Sequence, residues 1–188
     1  ANATGLEVPS NGLLYPPASI EDIPFVTRPI SEGGMLEKKG MVEVISSLEA
    51  DGRAIPYEIR MGVWVTVEAE TDYIKNCFEE YKAHTDPSGR YFTLYKRWHL
   101  IGLEVGVSVA SVALRGEPTG VATCWNADVV ATAKRDLKVG EMLDGEGGYT
   151  VWGKLFPAKK SVAFGGVPLG LAHSVRLVRA IKKGQSIC

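Results

Sequence analysis

The sequence lacks the features that would place the chain in a membrane, in an oxidising compartment or on nucleic acid. Its three cysteines share no motif spacing, which argues against a disulfide framework and predicts a reducing, cytoplasmic environment. No apolar run is long enough to cross a bilayer, and the opening ANATGLEVPSNG has neither region of a signal peptide. A net charge of −1 supplies no general attraction to nucleic acid or to membrane surfaces, so we expect neither as a partner.

Two kinds of binding motif are missing as well. The three histidines lie far apart, with no neighbouring cysteine and no HxxxH pattern, so no metal site is predicted. The chain contains no GxGxxG turn, and the glycines of residues 145–148 are not followed by the Gly-Lys-Ser/Thr of a phosphate loop. The chain alone is therefore expected to bind no nicotinamide cofactor.

The first 34 residues are rich in proline and glycine. Five prolines exclude a long helix from the first 29 residues and leave an extended segment, with one helical turn at residues 19–23 that Ser19 can cap. The paired glycines of the following Ser-Glu-Gly-Gly sequence permit positive φ or close backbone approach. This pattern is open between a loop against a ligand and a tight turn before a strand at residues 41–46.

An alternation of strand and helix patterns follows. Residues 61–70 and 91–95 have the composition of strands, and residues 73–84 show a helical period with Thr71 or its neighbour as the cap. Residues 100–114 are apolar on nearly every face and predict a helix buried in the core or at a twofold interface. We therefore expect an α+β fold that begins with a mixed α/β layer.

The junction between the second strand and this helix concentrates polar groups, in the sequence YFTLYKRWHLIGLE. Lys96, Arg97 and His99 lie within four residues of one another. A strand that leads through cationic residues into a helix N-terminus is suited to binding an anion. A solvated turn without function accounts for the same pattern.

The chain changes character after the turn-rich break at residues 116–120, and an internal repeat appears with an offset of 44 residues. Each copy reads as strand, turn, glycine-containing loop and strand start, which predicts a small β domain of pseudo-twofold construction. The glycines would be turn residues and the apolar positions would form its core. The matched pairs are Arg135 with Arg179, Leu137 with Ile181, Lys138 with Lys182, Gly140 with Gly184 and Leu143 with Ile187. His173, between the copies, is expected to be a packed residue.

Two stretches of this region, KRDLKVGEMLDGEGGYTVWGKL and VPLGLAHSVRLVRAIKKGQSI, resemble the SAF domain, an all-β module with the β-clip fold. The sequences ANATGL, Glu-Gly-Gly and LYKRWHLIGLE resemble the C-terminal half of homoserine-dehydrogenase-like, SAF-containing NAD(P)-dependent oxidoreductases, one branch of which is called deoxyxylulose-phosphate-reductoisomerase-like. The family more often has Arg-Pro-Tyr where this chain has Lys96, Arg97 and Trp98.

This resemblance implies a fragment of a longer enzyme. It divides the chain into a substrate-side α/β domain at residues 1–117 and a SAF-like domain at residues 118–188. It places a dinucleotide-binding Rossmann domain upstream, binding NAD(P) in the full-length protein, and it implies a small, phosphorylated or unphosphorylated, carbonyl or hydroxy substrate. Without that upstream domain the chain is expected to be inactive. A homo-oligomer is expected from the apolar helix. The alternative function is a non-catalytic SAF module for carbohydrate-like ligands or for assembly.

The expected substrate-side wall of the full enzyme combines the cationic junction with the Glu-Gly-Gly loop. Lys96 or Arg97 would bind an anion, and His99 would transfer a proton or polarise a carbonyl group. Glu104 either orients His99 or is a plain ion-pair partner. The residues expected to face this group across the substrate are Glu32, Gly33 and Gly34.

Overall fold

The computed structural model describes residues 1–188, which form two compact units of mixed α/β structure. One unit is Leu14–Val121, and the other combines Ala1–Leu13 with Ala122–Cys188. The division into domains at residues 1–117 and 118–188 stays a prediction, because compactness alone does not show that each part folds independently. None of the helices has both the length and the apolar composition that a membrane crossing would need.

The Leu14–Val121 unit is built on one antiparallel pair of strands. Its helices and strands are α1 (Ile23–Val26), β1 (Val63–Glu68), α2 (Asp72–Glu80), β2 (Tyr91–Lys96) and α3 (Val105–Arg115), with 3-10 turns at Ile20–Asp22 and Ile30–Glu32. The register of β1 with β2 runs from Val63 opposite Lys96 to Glu68 opposite Tyr91. Both strands are confirmed, and the first is shorter than its apolar pattern suggested.

The buried face of this pair packs on the N-terminal helical turns. A small cluster of Ile20, Ile23 and Ile59 lies there, with Trp64 packed against it. The Ser19 hydroxyl accepts the Asp22 N–H, and the Asp22 carboxylate in turn accepts from Ser19, so the predicted cap is confirmed as a reciprocal capping box.

Two local predictions in this unit have different outcomes. The Thr71 hydroxyl accepts the Ile74 N–H at 3.3 Å and caps α2, as expected, although the helix ends at Glu80 instead of residue 84. The strand predicted at residues 41–46 is wrong. Ser46 makes only an isolated bridge to Pro17, because the adjacent prolines 16 and 17 have no N–H groups with which to extend a ladder.

A helix is present within the stretch predicted to be helical, residues 100–114, but the alternative that it packs in the core is wrong. The helix α3 begins at Val105, and Val107 and Val109 on it are 66% and 62% exposed, while Ser111 is its one buried residue. No strand or other helix packs extensively against α3. Its polar contacts run to the segment that follows it, where the Ser111 hydroxyl donates to the Glu117 carbonyl at 2.8 Å. An interface role for α3 stays a prediction.

The second unit contains two antiparallel strand pairs and one helix. Its elements are β3 (Ala127–Ala133), β4 (Met142–Asp144), β5 (Val151–Pro157), α4 (Ala158–Phe164) and β6 (His173–Arg176), with a 3-10 turn at Leu169–Leu171. β3 pairs with β5, and β4 pairs with β6. The all-β domain expected here is therefore wrong, because the second unit contains the helix α4. This helix follows Pro157 and ends at Gly165, whose φ is +70°.

The N-terminal residues belong to this second unit through a hydrogen-bonded clamp. The Asn2 side chain accepts the N–H groups of Asn126 and Ala127 at 2.8 and 2.9 Å and donates to the Ala127 carbonyl at 3.1 Å. The Asn126 amide donates in turn to the carbonyls of Gly5 and Leu6. The start of the chain therefore anchors the entry to β3.

The internal repeat is confirmed as a pseudo-twofold pair. Leu137 and Ile181, equivalent positions of the two copies, exchange both backbone hydrogen bonds at 2.8 and 3.0 Å. Gly140 and Gly184 each have φ +80°, and each donates its N–H to the opposite copy. The four apolar repeat positions all lie in the core cluster of this unit: Leu137, Leu143, Ile181 and Ile187. The turns and the core that the repeat predicted are both present.

Candidate functional site

Lys96, His99 and Glu104 form one cluster at the end of β2. The Lys96 ammonium contacts Glu104 Oε1, and His99 Nδ1 lies 3.2 Å from Glu104 Oε2, so the carboxylate holds both groups. The His99 backbone N–H donates to the Met61 carbonyl at 2.6 Å, which fixes the turn after β2 to the residues before β1. The structure therefore brings together the three residues predicted to be catalytic.

The electrostatics of this cluster favour an ionised Glu104. Hydrogen bonds from Lys96 and then from His99 lower the pKa of the Glu104 carboxyl. All three side chains are about half exposed, so water screens their attraction and the ion pairs add little stability. The Glu104 carboxylate holds the His99 ring through Nδ1. His99 Nε2 makes no hydrogen bond within the chain and is therefore available to a ligand.

Arg97 contacts Trp98 and does not contact this cluster. Its guanidinium lies 5.5 Å from the centre of the Trp98 ring, in a cation–π arrangement on the surface. It makes no ion pair with Glu104 or with any other carboxylate. Arg97 and Trp98 therefore form a separate planar cationic surface next to the cluster, and Arg97 is not part of the cluster itself.

Glu32 lies in a second cluster. Tyr91 donates its hydroxyl hydrogen to Glu32 Oε2 at 2.5 Å, and Lys39 Nζ lies 3.3 Å from Glu32 Oε1 and 2.5 Å from Glu68 Oε2. The Tyr91 hydrogen bond, followed by the Lys39 contact, lowers the pKa of Glu32 despite opposing desolvation. Burial, together with the bond to Glu32, raises the pKa of Tyr91 to about 12. The bond to Glu68 raises the pKa of Lys39.

The two clusters lie at opposite ends of β2. Tyr91 begins the strand and Lys96 ends it, which separates their Cα atoms by about 16 Å at the usual rise of a strand. The structure therefore does not bring Glu32, Gly33 and Gly34 opposite the cationic junction as expected. The local backbone explains this difference, since the Glu32 turn is tied to α1 and to the start of β2.

The glycine pair has a structural explanation within the chain. Gly33 has φ +83° and ends the 3-10 turn, and a Cβ on Gly34 would lie 2.0 Å from the Arg28 carbonyl oxygen. Both properties expected of the pair, positive φ and close backbone approach, are present. The atoms that approach Gly34 belong to the chain itself and not to a ligand. The structure therefore agrees with the tight-turn alternative, although no strand follows the turn.

Sequence reasoning missed three members of the second cluster: Lys39, Glu68 and Tyr91. Lys39 follows Glu37 and Lys38 in a charged run typical of a solvated loop, so nothing local distinguished it. Glu68 gave a weak signal, because it shares the buried face of β1 with Trp64 and Thr66 by strand alternation. Only the strand register, which places it opposite Tyr91, reveals the cluster.

The sheet topology and the arrangement of possible metal ligands bear on the expected cofactors. The three sheets are two-stranded and antiparallel, so the βαβ unit that presents a dinucleotide-binding turn is not formed. The structure contains no group of three or more His, Cys, Asp or Glu side chains that could hold a metal. His173 is exposed instead of packed, and its Nδ1 lies 3.2 Å from the Asp144 carbonyl oxygen.

A comparison with known families agrees with part of the sequence interpretation. The model of one family, described as "Oxidoreductase DRL, catalytic domain", matches residues 1–105. This range includes both clusters. No curated protein matches the chain.

Proposed function

Since the chain belongs to the family of DRL oxidoreductase catalytic domains, we propose that it forms the substrate-side part of an NAD(P)-dependent enzyme. The substrate would be a small carbonyl or hydroxy compound that carries a phosphate or a carboxylate. The observation that best supports this proposal is the cluster at the end of β2, where one carboxylate holds an ammonium and an imidazole side by side.

The proposed roles follow from the contacts of each group. Lys96 supplies a fixed positive charge for the anionic group of the substrate. His99 uses its open Nε2 to donate a proton to a carbonyl oxygen or to accept one from a hydroxyl group. Glu104 is a positioning residue, because its ionised carboxylate binds the opposite ring nitrogen and fixes which nitrogen faces the substrate. Arg97, stacked on Trp98, would form the rim of the anion site.

The second cluster has a separate proposed role. Glu32 and Glu68 hold Lys39 between two carboxylates, and Tyr91 closes the group through its bond to Glu32. Such a network fixes the Glu-Gly-Gly turn against β2 and keeps Glu32 ionised. We therefore assign Glu32, Gly33 and Gly34 to a supporting wall of the substrate side, at a distance from the cationic junction.

The proposed cofactor site lies outside this chain. A nicotinamide dinucleotide supplies the hydride in enzymes of this class, but its pyrophosphate requires a glycine-rich turn that these antiparallel sheets do not form. We infer that a Rossmann domain upstream binds NAD(P), as the resemblance to homoserine-dehydrogenase-like enzymes implies. The pseudo-twofold β structure of the second unit supports the SAF assignment.

Titration with NADPH tests this division. We expect no measurable heat of binding from the chain alone, and micromolar binding with NADPH-dependent carbonyl reduction from a protein extended through its upstream domain. Tight binding by the chain alone would contradict the division. An extended protein that neither binds NADPH nor reduces a carbonyl substrate would favour the alternative, a non-catalytic SAF module for binding or assembly.

The exposed helix α3 supports a homo-oligomer. Apolar side chains surround this helix, and a contiguous exposed apolar surface of this kind is unusual on a monomer. We propose that α3 packs against a second copy of the chain. The residues that would form this interface are Val105, Val107, Val109, Val112 and Leu114.

Replacing Val107 with aspartate tests this interface. Because Val107 is exposed in the single chain, the free energy of unfolding of the monomer should change by no more than about 0.5 kcal/mol, while the oligomer dissociates. Sedimentation and urea unfolding measure the two effects. The matched control is Val130→Asp at a fully buried valine, which should lower monomer stability by several kcal/mol, about 3 or more. An unchanged sedimentation coefficient for Val107→Asp would contradict the interface.

A further inference from the structure

The second unit contains a cavity that the proposed oxidoreductase function does not use. It lies between α4 and the last ten residues of the chain and has a volume of about 490 Å³. Pockets of this size accommodate small organic ligands. We call it the Phe156 cavity, and its lining consists of Phe156, Lys160, Phe164, Arg179, Ala180, Ile181, Gln185, Ser186 and Cys188.

Two parallel aromatic rings give the Phe156 cavity an apolar wall. The ring centres of Phe156 and Phe164 lie 6.3 Å apart with 8° between their planes. Phe156 belongs to the end of β5, and Phe164 ends α4, so the short helix between them sets the spacing. Phe164 is partly exposed, whereas Phe156 is buried, and a planar ligand can therefore stack on the accessible ring.

The charged side chains of the Phe156 cavity are Lys160 and Arg179, and both are cationic. Lys160 Nζ lies 5.4 Å from the centre of the Phe156 ring and donates to the Ser10 carbonyl at 3.0 Å, which holds the ammonium in place. Arg179 Nη2 donates to the Cys188 carbonyl at 3.2 Å. Each cation retains further N–H donors for a ligand, and no acidic side chain lines the cavity.

The polar floor offers one more donor. Gln185 Oε1 accepts the Lys182 N–H at 2.9 Å, and this bond fixes the amide while its Nε2 makes no hydrogen bond within the chain. The Ser186 hydroxyl lies 2.9 Å from the Thr132 hydroxyl and is already paired. The open groups at this site are therefore donors, which suits an anionic ligand and disfavours a cationic one.

We propose that the Phe156 cavity binds a small anion that carries a planar apolar ring, such as an aromatic carboxylate or an aryl phosphate. The ring stacks on Phe164, and the anionic group binds between Lys160 and Arg179. Both the ring and the charge define the ligand. A simple anion would leave the apolar wall hydrated, and a neutral ring would leave the two cationic side chains without an anionic partner from the ligand. The Phe156 cavity shares no lining residue with the cluster at Lys96 and His99.

Calorimetric titration of the full chain with four probes tests this proposal. Benzoate and phenyl phosphate carry both the ring and the charge, benzyl alcohol carries the ring alone, and inorganic phosphate carries the charge alone. We expect at least one of the charged aromatic probes to bind about tenfold more tightly than either half-probe. Binding by both charged aromatic probes identifies a site for aromatic anions of either kind, and binding by one identifies the carboxylate or the phosphate as the preferred group.

Substitutions then locate the site. Arg179→Gln and Phe164→Ala should each weaken the better probe by about tenfold, and Lys159→Gln, next to Lys160 on α4 but outside the lining, should leave binding unchanged. Far-UV circular dichroism and melting temperature show whether each variant is folded. The proposal is overturned if neither charged aromatic probe binds more tightly than its half-probes. It is also overturned if folded Arg179→Gln and Phe164→Ala bind as the parent does.

Discussion

Replacement of Asp86 by alanine is expected to lower the free energy of unfolding by about 3–5 kcal/mol, the usual cost of breaking a buried ion pair from one side. The Asp86 side chain is fully buried and lies 3.1 Å from Arg28 Nη1. It also accepts the Ser88 hydroxyl at 2.9 Å and the N–H groups of Arg90 and Tyr91 at 3.2 and 3.0 Å. One carboxylate therefore organises the turn that leads into β2.

The size of the effect follows from what the substitution leaves behind. Arg28 would keep a largely buried positive charge without its ion-pair partner, and the Tyr91 N–H would lose its acceptor at a buried position. Burial by itself raises the pKa of Asp86, but hydrogen bonds from the Tyr91 N–H and from Ser88 outweigh it, so the pKa is lowered. The native state therefore favours the ionised carboxylate.

The lowered pKa gives the sign of the pH dependence. Because the folded pKa of Asp86 lies below the ordinary value of 3.8, its contribution is fully present above about pH 5 and is lost as the pH falls through 3.8 toward the folded value. The parent should lose this part of its stability in acid, whereas Asp86→Ala has none to lose. Urea unfolding of both proteins from about pH 7 down to about pH 2 covers the range over which this contribution is lost and measures the difference.

Asp72→Ala is the matched control in the same unit. Asp72 pairs with Arg90 at 3.3 Å on the surface, where its side chain is largely exposed, so the change in unfolding free energy should stay within about 1 kcal/mol. An Asp86→Ala variant that unfolds like Asp72→Ala would show that the buried pair contributes no more than an exposed one.

The parts of the fold that the sequence predicted depend on local chemistry. The caps at Ser19 and Thr71 were identified because a hydroxyl group followed by a helical pattern satisfies backbone N–H groups within three residues. The repeat was equally accessible, since equal spacing of glycine and apolar positions requires two equivalent turns. These signals come from residues that are close together in the sequence, so they do not depend on the tertiary packing around them.

The parts that the sequence did not predict depend on long-range packing. The apolar composition of α3 shows that the helix favours burial, but it does not say what covers it, and in this chain Val107 remains exposed. The separation of Glu32 from Lys96 follows from the β1–β2 register and from the tie between Glu32 and Tyr91, which lie 59 positions apart. A register of this kind is not encoded in the spacing of the polar residues themselves.

In a protein extended through the proposed upstream domain, Lys96→Ala and His99→Ala are each expected to lower kcat/KM by about a hundredfold, the usual scale for the loss of an anion contact or of a general acid. The Glu104 carboxylate binds both the Lys96 ammonium and the His99 ring. Each substitution therefore removes one of these two groups and leaves the other bound to Glu104. Because these groups are exposed and only weakly stabilising, the melting temperature should not change.

The matched control for His99→Ala is His84→Ala, in the same unit. His84 Nε2 is occupied by a hydrogen bond of 3.0 Å with the Glu21 carbonyl oxygen, so it has no open nitrogen there and its loss should leave kcat/KM unchanged. Lys96→Ala should mainly raise KM, and His99→Ala should mainly lower kcat, because Lys96 is proposed to bind the anionic group of the substrate and His99 is proposed to act on the reacting oxygen. Glu104→Gln keeps the shape but removes the ionised acceptor, and should lower kcat less than His99→Ala does. Parental kinetics in both Lys96→Ala and His99→Ala would exclude the cluster from the active site, whatever the family of the chain.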